Sequence, residues 1–347
     1  MRWSSVRSLA THVVRPMGHP QWAMALFLAT MLGAILTASA AIGHAKLGAA
    51  VALSFLLTAV PSLPQQLWAG LEVITVRGVT VLCGASVVML TDGLPTVRAI
   101  AIVAAALLGA MVDRVGPTAG LAVILPTIHL PAIVTPQSVL FALWPYAAGT
   151  LAVVIAWLGW SISNRIRQND PRPNPSRINP PDSPHGHAAR VCLALIIALM
   201  VVHLLPADLP GTHWLITSVL LTIQPQPHQT RLRIAQRLSG NTIGAFIAAV
   251  ALGATPSVHV VIAAVTILFL LATALRPVNY TWWAVMGPPA LLMVSEYPAL
   301  FPWYEGGIRV AMNLLGSAIV VFIVFVGPRV WPVRNRIATP HDSGIRT

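Results

Sequence analysis

Long apolar runs follow one another from end to end of this chain, and charged residues fall in the gaps between them. A bilayer core about 30 Å thick needs roughly 20 apolar residues per helix. Candidate spans lie near 22–42, 71–91, 97–112, 137–162, 190–205, 238–252, 257–275 and 306–327. Four shorter runs, near 47–60, 115–130, 212–224 and 280–294, fill the intervals. With 56% hydrophobic and only 9% charged residues, and a mean hydropathy of +0.77, this much apolar surface does not fit inside one soluble core. The expected fold is therefore an all-α polytopic membrane protein of about twelve transmembrane segments.

The pattern also repeats. Leu56, Leu57, Thr58 and Pro61 match Leu220, Leu221, Thr222 and Pro225 at a shift of 164. Arg77 and Gly84 match Arg237 and Gly244 at a shift of 160. The chain reads as a tandem duplication: a first six-helix bundle over 1–164, degenerate in its motifs, and a second over 190–331. Between them, 165–189 is a Pro-, Asn-, Ser- and Arg-rich linker, and 332–347 is a polar tail. An even number of crossings per half makes the repeats parallel, so the chain would be a pseudo-dimer about an axis along the membrane normal.

Arg2, Arg7 and Arg15 precede the first apolar run, which ends near Ala38-Ser39-Ala40, so a cleaved signal peptide is an alternative there. Retaining 22–42 as a helix preserves its pairing with 190–205. Cys83 and Cys192 both lie in apolar runs, where a lone thiol packs as a small hydrophobe. The net charge of +12 is spread between spans, with no basic domain to hold nucleic acid. Topology explains it: with both termini cytoplasmic and every segment crossing, all but Lys46, Arg98 and Arg309 of the 21 Lys and Arg lie inside.

Proline in a membrane helix frees a carbonyl, tolerable only where protein or a watery cavity satisfies it. The segments 47–60 and 212–224 both end in proline, and 115–130 and 280–294 are both interrupted, by Pro126 and by Gly287-Pro288-Pro289. Matched breaks between repeats point to a shared cavity, and packing kinks are the plainer alternative. A helix is expected from Pro227, with Arg233, Arg237, Gly240 and Gly244 along one stripe. Glycines four apart let helix backbones approach in lipid, so this stripe should face another helix, with the one carrying Arg77 and Gly84 as candidate.

Cations in the first turn of a helix oppose its macrodipole by roughly 0.3–1 kcal/mol each. Two explanations stand: snorkelling anchors that hold topology, which suits Arg231, or an anion site, for which Arg233 and Arg237 are the better candidates. Near the outer side, Arg309, Asn313 and Gly316 share a helix face that should point inward. The matching first-half positions are Ala142, Tyr146 and Gly149, so one copy alone is polar.

The acids nearest the spans, Glu72, Asp92, Asp113, Asp208, Glu296 and Glu305, read as loop residues, and no proton-coupling residue stands out. His129, His203, His213 and His228 lack metal-ligand spacing. Trp214, Trp282, Trp283, Trp303 and Trp331 sit near span ends, as in an interfacial belt. No cluster calls for a metal, cofactor or enzymatic activity.

The order Trp214, Thr217, Gln224-Pro225, Thr230, Arg231, Arg237, Gly240, Gly244 resembles the fusaric acid resistance protein-like family of bacterial inner-membrane exporters. Asn279-Tyr280 and Arg309, Asn313 and Gly316 resemble its later pattern; the likeness is good over about 210–320 and weaker over 45–160. The resemblance implies paired six-helix bundles, aromatic carboxylic acids as typical substrates, and often a periplasmic adaptor protein. The related plant malate channels pass anions through an arginine-lined pore. Many members carry a large cytoplasmic domain, which this chain replaces with its Pro-rich linker.

The expected function is thus export of small organic anions through a cavity between the repeats. Arg233, Arg237, Arg77, Arg309 and Asn313 would handle the carboxylate, with Gly240, Gly244, Gly84, Pro225, Pro126 and Pro288 shaping the helices. A passive anion channel and a non-transporting membrane scaffold are the alternatives. Association into a homo-oligomer is left open by the sequence.

Overall fold

The computed structural model describes residues 16, 18–60, 63–112, 114–130, 139–167, 184–206, 209, 211–253, 257–296 and 304–327. Most of the linker, the tail and Asp113, Asp208, Trp303 and Trp331 lie outside the described residues, as do the side chains of Glu296 and Glu305. Among the described residues every regular element is helical. Trp22–Ala41 (α1), Ala45–Ala59 (α2), Leu67–Leu90 (α3), Pro95–Met111 (α4), Thr118–Ile124 (α5) and Val139–Arg167 (α6) precede the linker. Pro184–Leu204 (α7), His213–Thr222 (α8), Pro227–Gly253 (α9), Val258–Leu275 (α10), Tyr280–Glu296 (α11) and Tyr304–Val321 (α12) follow it.

Local chemistry sets many of these limits. Pro95 opens α4 and Pro227 opens α9, where a missing N–H costs nothing. Gly43 and Gly93 turn the chain after α1 and α3 with φ of 74° and 73°, which a Cβ would oppose. By length and composition, six helices can cross a membrane: α1, α3, α6, α7, α10 and α12 with its π-helical extension Phe322–Val326. The helices α2, α4, α5 and α8 are apolar but shorter. The remaining pair, α9 and α11, carry arginines and prolines respectively; of the expected spans, the one near 97–112 falls outside that set of six because α4 is shorter, and the one near 238–252 because it lies in α9.

Helix packing is reciprocal across the linker. The first helix of each set packs on the fourth of the other, α1 on α10 and α7 on α4. Within the sets, α2 lies on α6 as α8 lies on α12, and α3 lies on α5 and α6 as α9 lies on α11 and α12. The second and fifth helices also meet across the sets, α2 with α11 and α8 with α5. Single atoms follow the same scheme. Ser54 Oγ donates to the Tyr146 carbonyl at 2.6 Å, and Ser218 Oγ donates to the Asn313 carbonyl at 3.3 Å. Gly149 abuts the Val51 carbonyl and Ser54, and Gly316 abuts the Leu215 carbonyl and Ser218.

The proline breaks fit this pattern through the backbone groups they release. Pro126 cannot donate to the carbonyl of Ala122, and Gly84 of α3 lies directly over that oxygen. Pro288 and Pro289 cannot donate to Ala284 and Val285, and Gly240 and Gly244 of α9 lie against those two residues. Each glycine face therefore covers backbone that a proline has left short of a hydrogen bond. This corrects the expected partner of the Gly240–Gly244 stripe, which is α11 and not the helix carrying Arg77 and Gly84. It also corrects the expected interruption at Pro288: α11 runs unbroken through both prolines, whereas α5 gives way to a 3₁₀ turn, Leu125–Ile128, at Pro126. Packed against the glycine face, α11 keeps its helical path without the two missing bonds.

Apolar side chains fill the interior, among them Leu28, Leu32, Ile74, Trp157, Leu195 and Val265. Phe55 of α2 meets Phe269 of α10 edge-on with ring centroids 6.1 Å apart, joining the two sets. Outward-facing residues are also apolar, including Phe27, Ile100, Leu151, Ile196, Phe246 and Ile267, as lipid contact requires.

Candidate functional site

The loop between α8 and α9 is pinned from several directions. After Thr222, the prolines at 225 and 227 prevent α8 and α9 from merging into one helix. Gln224 N donates to Thr230 Oγ1 at 3.0 Å, and that hydroxyl lies 3.2 Å from the carbonyls of Gln224 and Gln226. Arg190 of α7 donates from Nη2 to the Pro225 carbonyl at 2.6 Å. The Gln-Pro stretch is thus a fixed ledge at the N-terminus of α9.

From this ledge α9 carries its polar stripe inward. Arg233 lies over Tyr280, its Cζ 3.5 Å from the ring centroid. Arg237 is buried and donates from Nη1 to the Tyr280 hydroxyl at 3.4 Å and from Nη2 to Asn313 Oδ1 at 3.2 Å. Asn241, one turn further, donates to the same Oδ1 at 2.8 Å. Asn313 Nδ2 donates in turn to the Arg309 carbonyl at 2.8 Å. Gln236 donates to Asn279 Oδ1 at 3.0 Å, tying α9 to the turn before α11. Arg231, by contrast, is exposed, with its guanidinium 5.4 Å from the Phe325 ring centroid, the surface setting that suits an anchor.

Beside this network lies a cavity of about 310 Å³. Its wall takes Ala106 and Gly109 from α4, Leu121 from α5, His187 and Val191 from α7, and Gln224 and Pro225 from the ledge. Arg233, Arg276, Tyr280 and Trp283 give the wall its cationic and aromatic part. Arg276 follows the end of α10 and reaches over Trp283, 5.2 Å from the ring centroid. Among the described residues no carboxylate lines the cavity. The two ion pairs among the described residues, Arg98 with Asp92 and Arg114 with Glu72, involve neither Arg233 nor Arg276.

Like charges gathered this way are costly. Two unit charges about 8 Å apart repel by about 2 kcal/mol at an effective dielectric constant of about 20. Arg276 lies within electrostatic reach of Arg233 and Arg77, and Tyr280 within reach of Arg233, Arg237 and Arg276. Such a cavity favours an anion.

The expected site residues therefore divide. Arg233 lines the cavity; Arg237 and Asn313 stand behind it as a hydrogen-bonded support. Arg77, expected opposite Arg237, sends Nη1 to the Thr58 carbonyl at 3.4 Å and is not on the cavity wall. Arg309 is buried with its Cζ 3.7 Å from the Trp214 ring centroid, and the His213 ring lies tilted beside that ring at 4.6 Å between centroids. Trp214, expected in an interfacial belt, is thus an interior platform, while Trp282 is exposed. Arg276, Trp283, Asn241 and Gln236 were absent from the sequence-derived site. An arginine directly after a helix without Lys, Arg, Asp or Glu, followed within a few residues by Asn-Tyr-x-Trp-Trp, is the signal that marks three aromatic or cationic cavity members together.

Among the described residues no group of His, Cys, Asp and Glu could hold a metal ion. Residues 193–323 match the sequence model of the fusaric acid resistance protein-like family, which associates the second helix set with membrane transport and efflux. No curated protein and no solved structure matches the chain.

Proposed function

We propose that this chain exports small organic anions, aromatic carboxylic acids in particular, through the space between two parallel six-helix repeats. The bilayer would be the bacterial inner membrane, with both termini in the cytoplasm. The reciprocal packing of α1 on α10 and α7 on α4, and the matched Ser54 and Ser218 bonds, support two repeats of one ancestral unit. The match over 193–323 supports efflux as the class of activity.

One observation carries the substrate class. Arg233 and Arg276 line a single cavity together with Tyr280 and Trp283, with no carboxylate on its wall among the described residues. A planar guanidinium binds a carboxylate through two parallel N–H donors, and aromatic faces receive an aromatic ring. A volume of about 310 Å³ sits at the small end of ligand pockets, suited to a single-ring acid. Arg237 and Asn313 would hold Tyr280 and α12 in place, and Arg309 on Trp214 would serve the outer side. A periplasmic adaptor protein would complete the export path.

The test is growth in the presence of a panel of acids, benzoate and salicylate against acetate and succinate, with and without the chain. Selective protection against the aromatic acids is expected. If Arg233→Gln and Arg276→Gln variants reach the membrane at parental levels and protect as well as the parent, the assignment fails.

A further inference from the structure

We propose that Tyr280 is the internal counter-ion of the arginine cluster: its phenolate offsets guanidinium charge while the cavity is empty, and regains a proton when an anion arrives. The inference rests on the anion-binding reading of the cavity, although its spectroscopic arm does not.

The geometry is unusual for a tyrosine. Its ring lies under the Arg233 guanidinium and its oxygen accepts from Arg237 Nη1, and Arg276 is the third cation within reach. Among the described residues, α9, α10 and α2 are the main helices packed on α11. From α9 it meets Arg233 and Arg237, and from α10 it meets Arg276 at the helix end; α2 contributes no titratable group beyond Lys46 in its first turn. His187 shares the cavity wall, and Arg77 stands behind Arg276. No described carboxylate joins this set. Among the described residues of this set, the phenol is the one group able to become negative.

An arriving carboxylate supplies the negative charge that the phenolate had supplied, and the two anions repel each other. Charge balance then requires the phenolate oxygen to take up one proton from water as the carboxylate binds, re-forming the O–H bond. When the substrate leaves, the O–H bond breaks and the proton returns to water. Anion binding is therefore linked to proton uptake, and affinity rises as pH falls through the phenol's titration.

The experiment uses the full chain purified in detergent. The ultraviolet difference spectrum of parent minus Tyr280→Phe removes the other three tyrosines and all eleven tryptophans. A tyrosinate band is expected at neutral pH, lost on acidification and moved to higher pH by Arg237→Gln. Calorimetry with benzoate in two buffers of different ionisation enthalpy should give proton uptake approaching one per benzoate bound. Tyr280→Phe should bind benzoate several-fold more tightly at neutral pH with uptake near zero. The inference is overturned if the parent shows no tyrosinate band at neutral pH, or binds benzoate with the same proton uptake as Tyr280→Phe. If the band is present and benzoate fails to bind, the counter-ion role holds and the proposed substrate class is what falls.

Discussion

Gly244 of α9 lies against the carbonyl of Val285 on α11, the same carbonyl that Pro289 leaves without its helical hydrogen bond. The close approach and the proline are two parts of one arrangement, because a glycine backbone can cover an unsatisfied carbonyl where a larger residue would be pushed away.

This relationship makes glycine substitutions differ in sign. At Gly240 an added Cβ would come 2.6 Å from the Ala284 carbonyl carbon, so backbone must move. At Gly307 of α12 nothing stands within 4 Å of the added atom. Gly240→Ala should therefore destabilise by about 1–3 kcal/mol, the range for overpacking. Gly307→Ala should be neutral or stabilise by up to about 1 kcal/mol, from helix propensity. Thermal unfolding of the two variants in the same detergent checks the sign, and a loss of equal size at Gly307 would contradict it.

Helix limits were legible in the sequence because each depends on neighbours along the chain. The start of α9 at Pro227, the start of α11 at Tyr280 and the 3₁₀ turn at Pro126 all follow from where a backbone N–H is missing or an apolar run begins. The cavity depends on meetings between distant segments, and local periodicity carries no such information. Arg276 read as a positive-inside loop residue because its charge was visible and Trp283 beneath it was not. The spacing of Gly240 and Gly244 marks a packing face, but which helix it meets is a property of the bundle. Trp214 was placed near a span end and so read as a belt residue; its actual role requires Arg309, far along the chain, to lie over it.

Asn313 should be the least replaceable polar residue of α12. Its Oδ1 receives both Arg237 Nη2 and Asn241 Nδ2, so Asn313→Leu strands two buried donors from α9 at once. Each stranded donor costs about 1–3 kcal/mol. The double variant Asn241→Leu with Asn313→Leu should lose less than the sum of the single losses, because the donor and its acceptor leave together. Strict additivity in unfolding midpoints would mean that the two side chains do not share the bond.

The Arg309–Trp214 contact separates charge–ring attraction from simple packing. Trp214→Phe keeps a ring beneath the guanidinium and Trp214→Leu does not. A desolvated cation–π pair contributes about 2 kcal/mol, strongest for tryptophan. Stability should therefore fall in the order Trp, Phe, Leu in the parent. With Arg309→Met in the background, the gap between Phe and Leu at position 214 should shrink by about 1 kcal/mol. A gap that is unchanged in this background assigns Trp214 to packing alone.

The two serines that join the second helix of each set to the sixth provide a direct comparison of the two helix sets. Ser54 Oγ reaches the Tyr146 carbonyl at 2.6 Å, and Ser218 Oγ reaches the Asn313 carbonyl at 3.3 Å. Both bonds are buried, and each should contribute about 0.5–1.5 kcal/mol. Ser54→Ala should cost more than Ser218→Ala, because its bond is shorter and a second oxygen, Thr150 Oγ1, lies 3.5 Å away to be left without its neighbour. Unfolding midpoints measured for both variants and for their combination check the order. The combined loss should be additive, since the two bonds lie in different helix sets and share no atom. A larger effect at Ser218 would indicate that the Asn313 backbone depends on this contact more than the side-chain network around it implies.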